Sequence, residues 1–301
     1  MLALVGAALW TLRGQLPAIV HVARTTHPRW PLVLAASLLV LLTYALLIET
    51  WRRVLADLGG RLRAGEAAII WLGSNLARYL PGAFWQIGAM SAMAQRRGVP
   101  VMVSTAAALI ITIVNVCSGL AVFAGALVLT ATAGTVPTVS GLRLGLLAVA
   151  VVGLVSLPWL APRLAAAATR LTRRTIELPR FSWRALATAV LGTTVAWTAY
   201  GVAFWVLALG VLPADASPSV AGCIALYTSS YLVGLFNPMP AGIGASEPVM
   251  VLLAPQFGVA TTAEATVLAL VVRAWRTVLE MAPSLVAIAI ASSTKGEAES
   301  E

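Results

Sequence analysis

The sequence predicts an all-α polytopic integral membrane protein, with about six full spans plus two oppositely oriented re-entrant helical hairpins in an inverted repeat. Three observations predict it. Of 301 residues 60% are hydrophobic and only 10% charged. Several apolar runs reach roughly 20–30 residues, more than a soluble core helix needs. Two other regions are apolar at their ends but interrupted in the middle by proline, glycine and polar residues, which break helices. The apolar runs are continuous and do not alternate, which excludes a β-barrel and leaves helices as the way to satisfy backbone groups in lipid. The whole chain, 1–301, reads as a single transmembrane domain.

Residues 1–20 form a marginal first span, because few apolar residues precede Arg13. They lack the basic start and the small-residue cleavage site of a secretory signal. Clear spans follow at 30–50, 101–131, 141–161, 184–212 and 264–292. Trp10, Trp30, Trp51, Trp159 and Trp183 fall near span ends, where tryptophan anchors to the membrane interface.

Arginine positions orient these spans. The loops after 50 (Arg52, Arg53, Arg61, Arg63), around 96 (Arg96, Arg97) and from 162 to 184 are basic, and the tail carries Lys295, the one lysine among 20 basic residues. Segments 132–143, 213–217 and 257–263 hold only Arg143. The positive-inside rule puts the first set in the cytoplasm and the second outside. Arg24 and Arg29 fall outside in this topology, against the rule. Both termini are then cytoplasmic, and the expected location is the cell inner (plasma) membrane.

That topology decides the broken regions. Residues 66–92 lie between two cytoplasmic loops, so they enter the membrane, turn at Pro81-Gly82 and return. Residues 218–256 lie between two outer loops and turn near 237–244. The order span, hairpin, span therefore occurs twice with opposite orientation, at 30–131 and at 184–292. Secondary transporters share this plan and bind substrate near the midplane, where broken helices meet. The connecting segment 162–184 puts Arg163, Arg170 and Arg174 on one helical face. It reads either as an interfacial helix on anionic lipid or as a plain basic loop.

A formal charge of +9 would suggest nucleic acid in a soluble chain. Here the arginines border spans, so nucleic acid is excluded and anionic membrane lipids are the expected partners. Cys117 and Cys223 lie in apolar runs with no CxxC pair and read as small buried hydrophobes. His21 and His27 share a short loop. Neither a metal-ligand pattern nor a nucleophile-base pattern is present, so no metal, no cofactor and no catalytic residue is expected.

The polar residues at membrane depth carry the functional reading. Irregular backbone in hydrocarbon must be buried in protein or line a wet cavity. NPMPAGIGASEP, at 237–248, fits the tip of a hairpin facing such a cavity, with Asn237, Pro240, Gly242, Gly244 and Glu247 as candidate substrate contacts. Its counterpart is RYLPGAFWQIG, at 78–88, where Asn75, Arg78 and Tyr79 lead into the break at Pro81 and Gly82 and Trp85 and Gln86 leave it. Inserting an arginine such as Arg78 costs about 2.5–3.5 kcal/mol, so it is kept for a counter-ion or an anionic substrate, or else snorkels to an interface. Arg273, Arg276 and Glu280 share one face of the last span. Arg276–Glu280 reads as a local ion pair or as part of the site. Glu247 reads as a partner for Arg273 or as a cap on the hairpin's return helix.

At these hairpins the sequence resembles the lysylphosphatidylglycerol synthase transmembrane-region family, also called flippase-like. The matching stretches are WRRVLADLGGRLRAGEAAIIWLGSNLARYLPGAFWQ, PAGIGASEPVMVLLAPQFGV and VLALVVRAWRTVLE. The family's Tyr-Leu/Ile-Pro-Gly stretch is matched by Tyr79, Leu80, Pro81 and Gly82. Its Pro-x-Gly-x-Gly-x-Arg-Glu stretch is matched by Pro240, Gly242, Gly244 and Glu247, but Ser246 stands where the family usually has arginine. The resemblance implies movement of lipids between leaflets, with Arg78, Arg273 or Arg276 standing in for the missing arginine or a different substrate. It gives no support for aminoacyl transfer by this chain.

The expected function is therefore not enzymatic: translocation of an anionic phospholipid or lipid-linked precursor through a midplane site between the two hairpins. The alternatives are a non-catalytic membrane partner of a separate lipid or glycan synthase, a membrane-embedded transferase, and an ion-coupled transporter of small solutes. A transferase needs a base or a carboxylate pair, and Glu49, Glu247 and Glu280 are the only acids at plausible depth.

Overall fold

The computed structural model describes residues 27–80, 85–132, 141, 144–154, 156, 182–237, 239, 242 and 244–298. The first span at 1–20, most of the basic segment 162–184, Trp10, Trp159 and the turn residues Pro81, Gly82 and Pro240 lie outside them. The described residues are helical and contain no strand. The helices are α1 (Trp30–Asp57), α2 (Ala64–Asn75), α3 (Trp85–Gln95), α4 (Val101–Thr132), α5 (Leu144–Leu154), α6 (Trp183–Val211), α7 (Val220–Leu235), α8 (Ser246–Leu253) and α9 (Thr262–Ala298).

Among the described residues, α1, α4, α6 and α9 are long and apolar enough to cross a membrane. They coincide with four of the six expected spans. The expected span at 141–161 is represented by the short α5. At ~1.5 Å per residue, α2 and α3 rise about 18 and 17 Å, and α7 and α8 about 24 and 12 Å. None of these four reaches the ~30 Å of a hydrocarbon core.

Local chemistry sets the helix ends. Ser182 starts α6, its hydroxyl accepting from the Ala185 N–H at 3.1 Å, and both its N–H and its hydroxyl bond to Asp57. Ser219 caps α7 through the Gly222 N–H at 3.0 Å. Thr261 and Glu264 satisfy each other's N–H groups at the start of α9, a reciprocal capping box. Glu66 accepts from the Arg63 N–H at the start of α2, and Arg97, just after α3, reaches the same carboxylate at 3.1 Å. One acid thus ties the two open ends of the α2–α3 pair.

Two compact units divide the described chain, and each long helix contributes a part to both. One unit comprises described residues within 43–120, 146–196 and 280–301. Its core gathers Trp51, Val54, Leu55 and Leu58 of α1, Ile70 of α2, Val114 of α4 and Leu186 of α6. The α2–α3 pair packs within this unit. Small residues allow close helix approach here: a Cβ on Gly153 would lie 2.7 Å from the Cys117 sulfur, and one on Gly192 would strike Thr50.

Two expectations are corrected in this unit. The α1 helix continues to Asp57, so Arg52 and Arg53 are helical and not in a loop. Glu49 accepts from both, at 2.6 and 2.7 Å, one helical turn away. The same extension carries Trp51 into the core, fully buried with its ring 6.1 Å from that of Trp71, where it cannot anchor to an interface. Trp30 and Trp183 are exposed, as belt residues would be.

The other unit comprises described residues within 1–42, 121–145 and 197–279. It contains the α7–α8 pair, which packs together. A Cβ on Gly201 of α6 would meet Ile224 of α7 at 2.6 Å and its Cα at 2.8 Å, so the two helices touch at backbone distance. Arg29 is tied to the end of α6. Its guanidinium donates to the carbonyls of Leu209 and Leu212 at the end of α6, where a cation satisfies the helix's last acceptors. Cys117 and Cys223, one in each unit, are buried free thiols.

Candidate functional site

In the first unit described, α2 ends at Asn75 and tightens into a 3-10 turn over Leu76–Tyr79. The chain becomes extended at Leu80, as the residue before a proline must. This turn aims two side chains at the last helix. Arg78 approaches the Glu280 carboxylate at 3.7 Å, and the Tyr79 hydroxyl donates to it at 3.1 Å. Glu280 is 7% exposed, so a charge partner and a hydrogen bond offset its desolvation. Across the break, Gln86 of α3 donates to the Asn75 side chain at 2.9 Å and joins the two arms of the pair. Trp85 begins α3 with its ring largely exposed.

In the second unit, α7 stops at Leu235 and Asn237 accepts from the Met239 N–H to begin the turn. Gly242 and Gly244 have φ of +68° and +78°, a region that side-chain-bearing residues adopt only at a cost. Gly242 is constrained further, because a Cβ there would lie 2.7 Å from the Gly234 carbonyl oxygen. The tip therefore folds back onto the end of α7. Glu247 closes the motif: one carboxylate oxygen accepts from the Gly244 N–H at 3.0 Å, and the other lies 3.6 Å from Arg273 of α9. Glu247 is at once the cap of α8 and the partner of Arg273.

Arg273 and Arg276, about one turn apart on α9, present the basic side of this site. The Arg276 guanidinium sits 4.6 Å from the centroid of the Tyr231 ring, a cation–π distance. Tyr231 belongs to an aromatic group with Trp197 at 5.2 Å and Tyr227 at 6.1 Å, and Tyr227 also contacts Tyr200 and Phe204. A small open cleft, with room for about one water molecule, is lined by Tyr227, Ser230 and Tyr231 of α7, Ser246 and Glu247 of α8, and Arg273 and Arg276 of α9.

The expected site residues thus gather as two clusters, each within its own unit. Asn75, Arg78, Tyr79, Gln86 and Glu280 form one. Gly242, Gly244, Glu247, Arg273 and Arg276 belong to the other, with Asn237 in its turn. Tyr227, Ser230 and Tyr231 were missed. Their signal is the stretch YTSSY, a polar and aromatic interruption of the apolar run 220–235 that puts both tyrosines four residues apart on one helical face.

Among curated proteins and among solved structures, nothing gives a significant match to the chain. Residues 1–284 match the family profile described as the lysylphosphatidylglycerol synthase TM region. That match covers both broken helix pairs and all of the residues just placed. This multi-pass membrane protein therefore belongs to the lysylphosphatidylglycerol synthase transmembrane-region family.

Proposed function

We propose that the protein translocates an anionic phospholipid or lipid-linked precursor between the leaflets of the cell membrane, without making or breaking covalent bonds. The observation that carries this reading is the arginine-bearing cluster at each broken helix pair. Membrane-grade sequence holds charged residues only where function or pairing compensates for their insertion. Here Arg78 is kept beside the turn after α2 and Arg273 and Arg276 beside the turn after α7.

Helix lengths support a re-entrant reading of both pairs. Each arm is too short to cross alone, and the charge of the flanking loops returns each pair to the face it entered from. Each compact unit holds one such pair, as an inverted repeat of two hairpins requires. The family description, which names the membrane region of a lipid synthase, supports a lipid substrate. Both termini of the sequence face the cytoplasm in this topology.

Reconstitution tests the proposal. Purified protein in liposomes should accelerate leaflet exchange of a fluorescent phosphatidylglycerol over protein-free vesicles, and Arg273→Ala should reduce that rate at least tenfold. If no anionic or polyprenyl-phosphate lipid exchanges faster, while a lipid or glycan synthase gains activity when the protein is added, the chain is an accessory subunit and not a translocator.

A further inference from the structure

The cleft at α7, α8 and α9 has a polar lining and room for about one water molecule. The most buried polar group of that lining is Ser230 of α7, 1% exposed, whose hydroxyl meets no hydrogen-bond partner among the described residues. The neighbouring Ser229 returns its hydroxyl to the Leu226 carbonyl at 3.1 Å, and Ser230 makes no such bond. Met250 of α8 and Ala269 and Val272 of α9 also line the cleft, and their buried apolar side chains offer the hydroxyl nothing. The more open side of the lining is ionic. There the Glu247 and Arg273 side chains are 22% and 21% exposed and stand 3.6 Å apart, beyond a charge-assisted hydrogen bond and in the range where a bridging water belongs.

We propose that the cleft is a binding site for one ordered water, which accepts from the Ser230 hydroxyl and from Arg273 and donates to the Glu247 carboxylate. One small molecule then joins α7, α8 and α9. A buried water makes about three hydrogen bonds to groups otherwise unsatisfied, and this lining supplies them from three helices. Leaving the hydroxyl unpaired lowers the folding equilibrium roughly 5- to 150-fold, whereas immobilising a water lowers it roughly 1- to 30-fold, so the occupied cleft is favoured. Size and charge exclude the other occupants. A polyatomic anion is larger than the space, and a metal cation would face the guanidiniums of Arg273 and Arg276. The water fastens the α7–α8 turn to α9 by a joint that re-forms as the helices shift. The fold itself calls for such a water, whether or not lipid moves through the protein.

The full chain, purified in an uncharged maltoside detergent, can be probed by X-ray radiolytic footprinting, in which hydroxyl radicals born from bound water oxidise the side chains beside it. Met250 lines the cleft at 4% exposure, and Met90, also 4% exposed, lies in the other unit as an equally buried reference. Met250 should be oxidised about tenfold faster than Met90. Ser230→Val, whose methyl groups replace the hydroxyl and take up the space, should bring Met250 down to the Met90 rate. Equal rates in the wild type, or a Met250 rate unchanged in Ser230→Val, overturn the proposal. Equilibrium unfolding in mixed micelles gives a second reading, decided by its sign. Ser230→Ala should lower the folded-to-unfolded ratio about fivefold, because the water loses a partner. In a dry cleft the same change deletes an unsatisfied hydroxyl and leaves the ratio unchanged or raised, which overturns the proposal. Replacing chloride by gluconate at constant ionic strength should alter neither result, and labelling or stability that depends on chloride assigns the space to a monatomic anion and overturns the water. The wild-type rates and Ser230→Ala keep the test decisive where Ser230→Val does not fold.

Discussion

Removing Arg78 takes away the guanidinium 3.7 Å from Glu280, whose residue is 7% exposed, and leaves that carboxylate only the Tyr79 hydroxyl of the pair of groups supplied by the turn. Breaking a fully buried ion pair costs about 3–5 kcal/mol, and breaking an exposed one about 0–1 kcal/mol. The Arg78 side chain is 29% exposed and its contact is long, so the result should fall between these limits, at about 2–3 kcal/mol for Arg78→Ala. Glu280→Gln retains an acceptor for Tyr79 and should cost about 1–2 kcal/mol. The double variant should recover part of the sum, with a coupling of about 1–2 kcal/mol. Equilibrium unfolding in mixed micelles of neutral and denaturing detergent, followed by tryptophan fluorescence, measures all four corners of the cycle. Costs that add to within about 0.5 kcal/mol would show that the two residues are neighbours without an energetic link, and the reasoning from buried charge would fail.

Gly242→Val places a β-branched side chain at φ +68° and a Cβ 2.7 Å from the Gly234 carbonyl, so it should cost about 1–3 kcal/mol from backbone strain alone and abolish leaflet exchange; a variant with wild-type stability and exchange would show that the tip is not tightly folded. Single cysteines at 213–217 and at 257–263, in a background lacking Cys117 and Cys223, should label from the same face of the membrane, as should cysteines at 59–62 and at 96–99. Labelling of either pair from opposite faces would make the helix pair between them a full crossing and remove the inverted repeat.

Much of the fold was legible in the sequence because hydropathy and helix breaking are local properties. The four long helices needed only their continuous apolar runs, and the broken pairs α2–α3 and α7–α8 announced themselves through proline, glycine and polar residues within such runs. The candidate site residues were legible for a related reason: an arginine such as Arg78 or Arg273 in membrane-grade sequence stands out whatever surrounds it. The span at 1–20, the turn residues Pro81, Gly82 and Pro240 and the basic segment around Arg170 lie outside the described residues and add nothing to this comparison.

Partnership was decided by tertiary structure. Glu280 meets Tyr79 across 201 positions of chain, and no spacing rule in the sequence connects them. Arg276 lies over the Tyr231 ring, 45 positions away, because the fold brings α7 and α9 together there. Trp51 shows the same limit from the apolar side: its position near the end of an apolar run suggests an interface, yet the continuation of α1 to Asp57 buries it completely. Composition and periodicity determined which segments leave water and which residues are costly to take with them. Which charges then meet, and which ring lies beneath a guanidinium, depends on distances of about 3–6 Å set by the packing of helices remote in sequence.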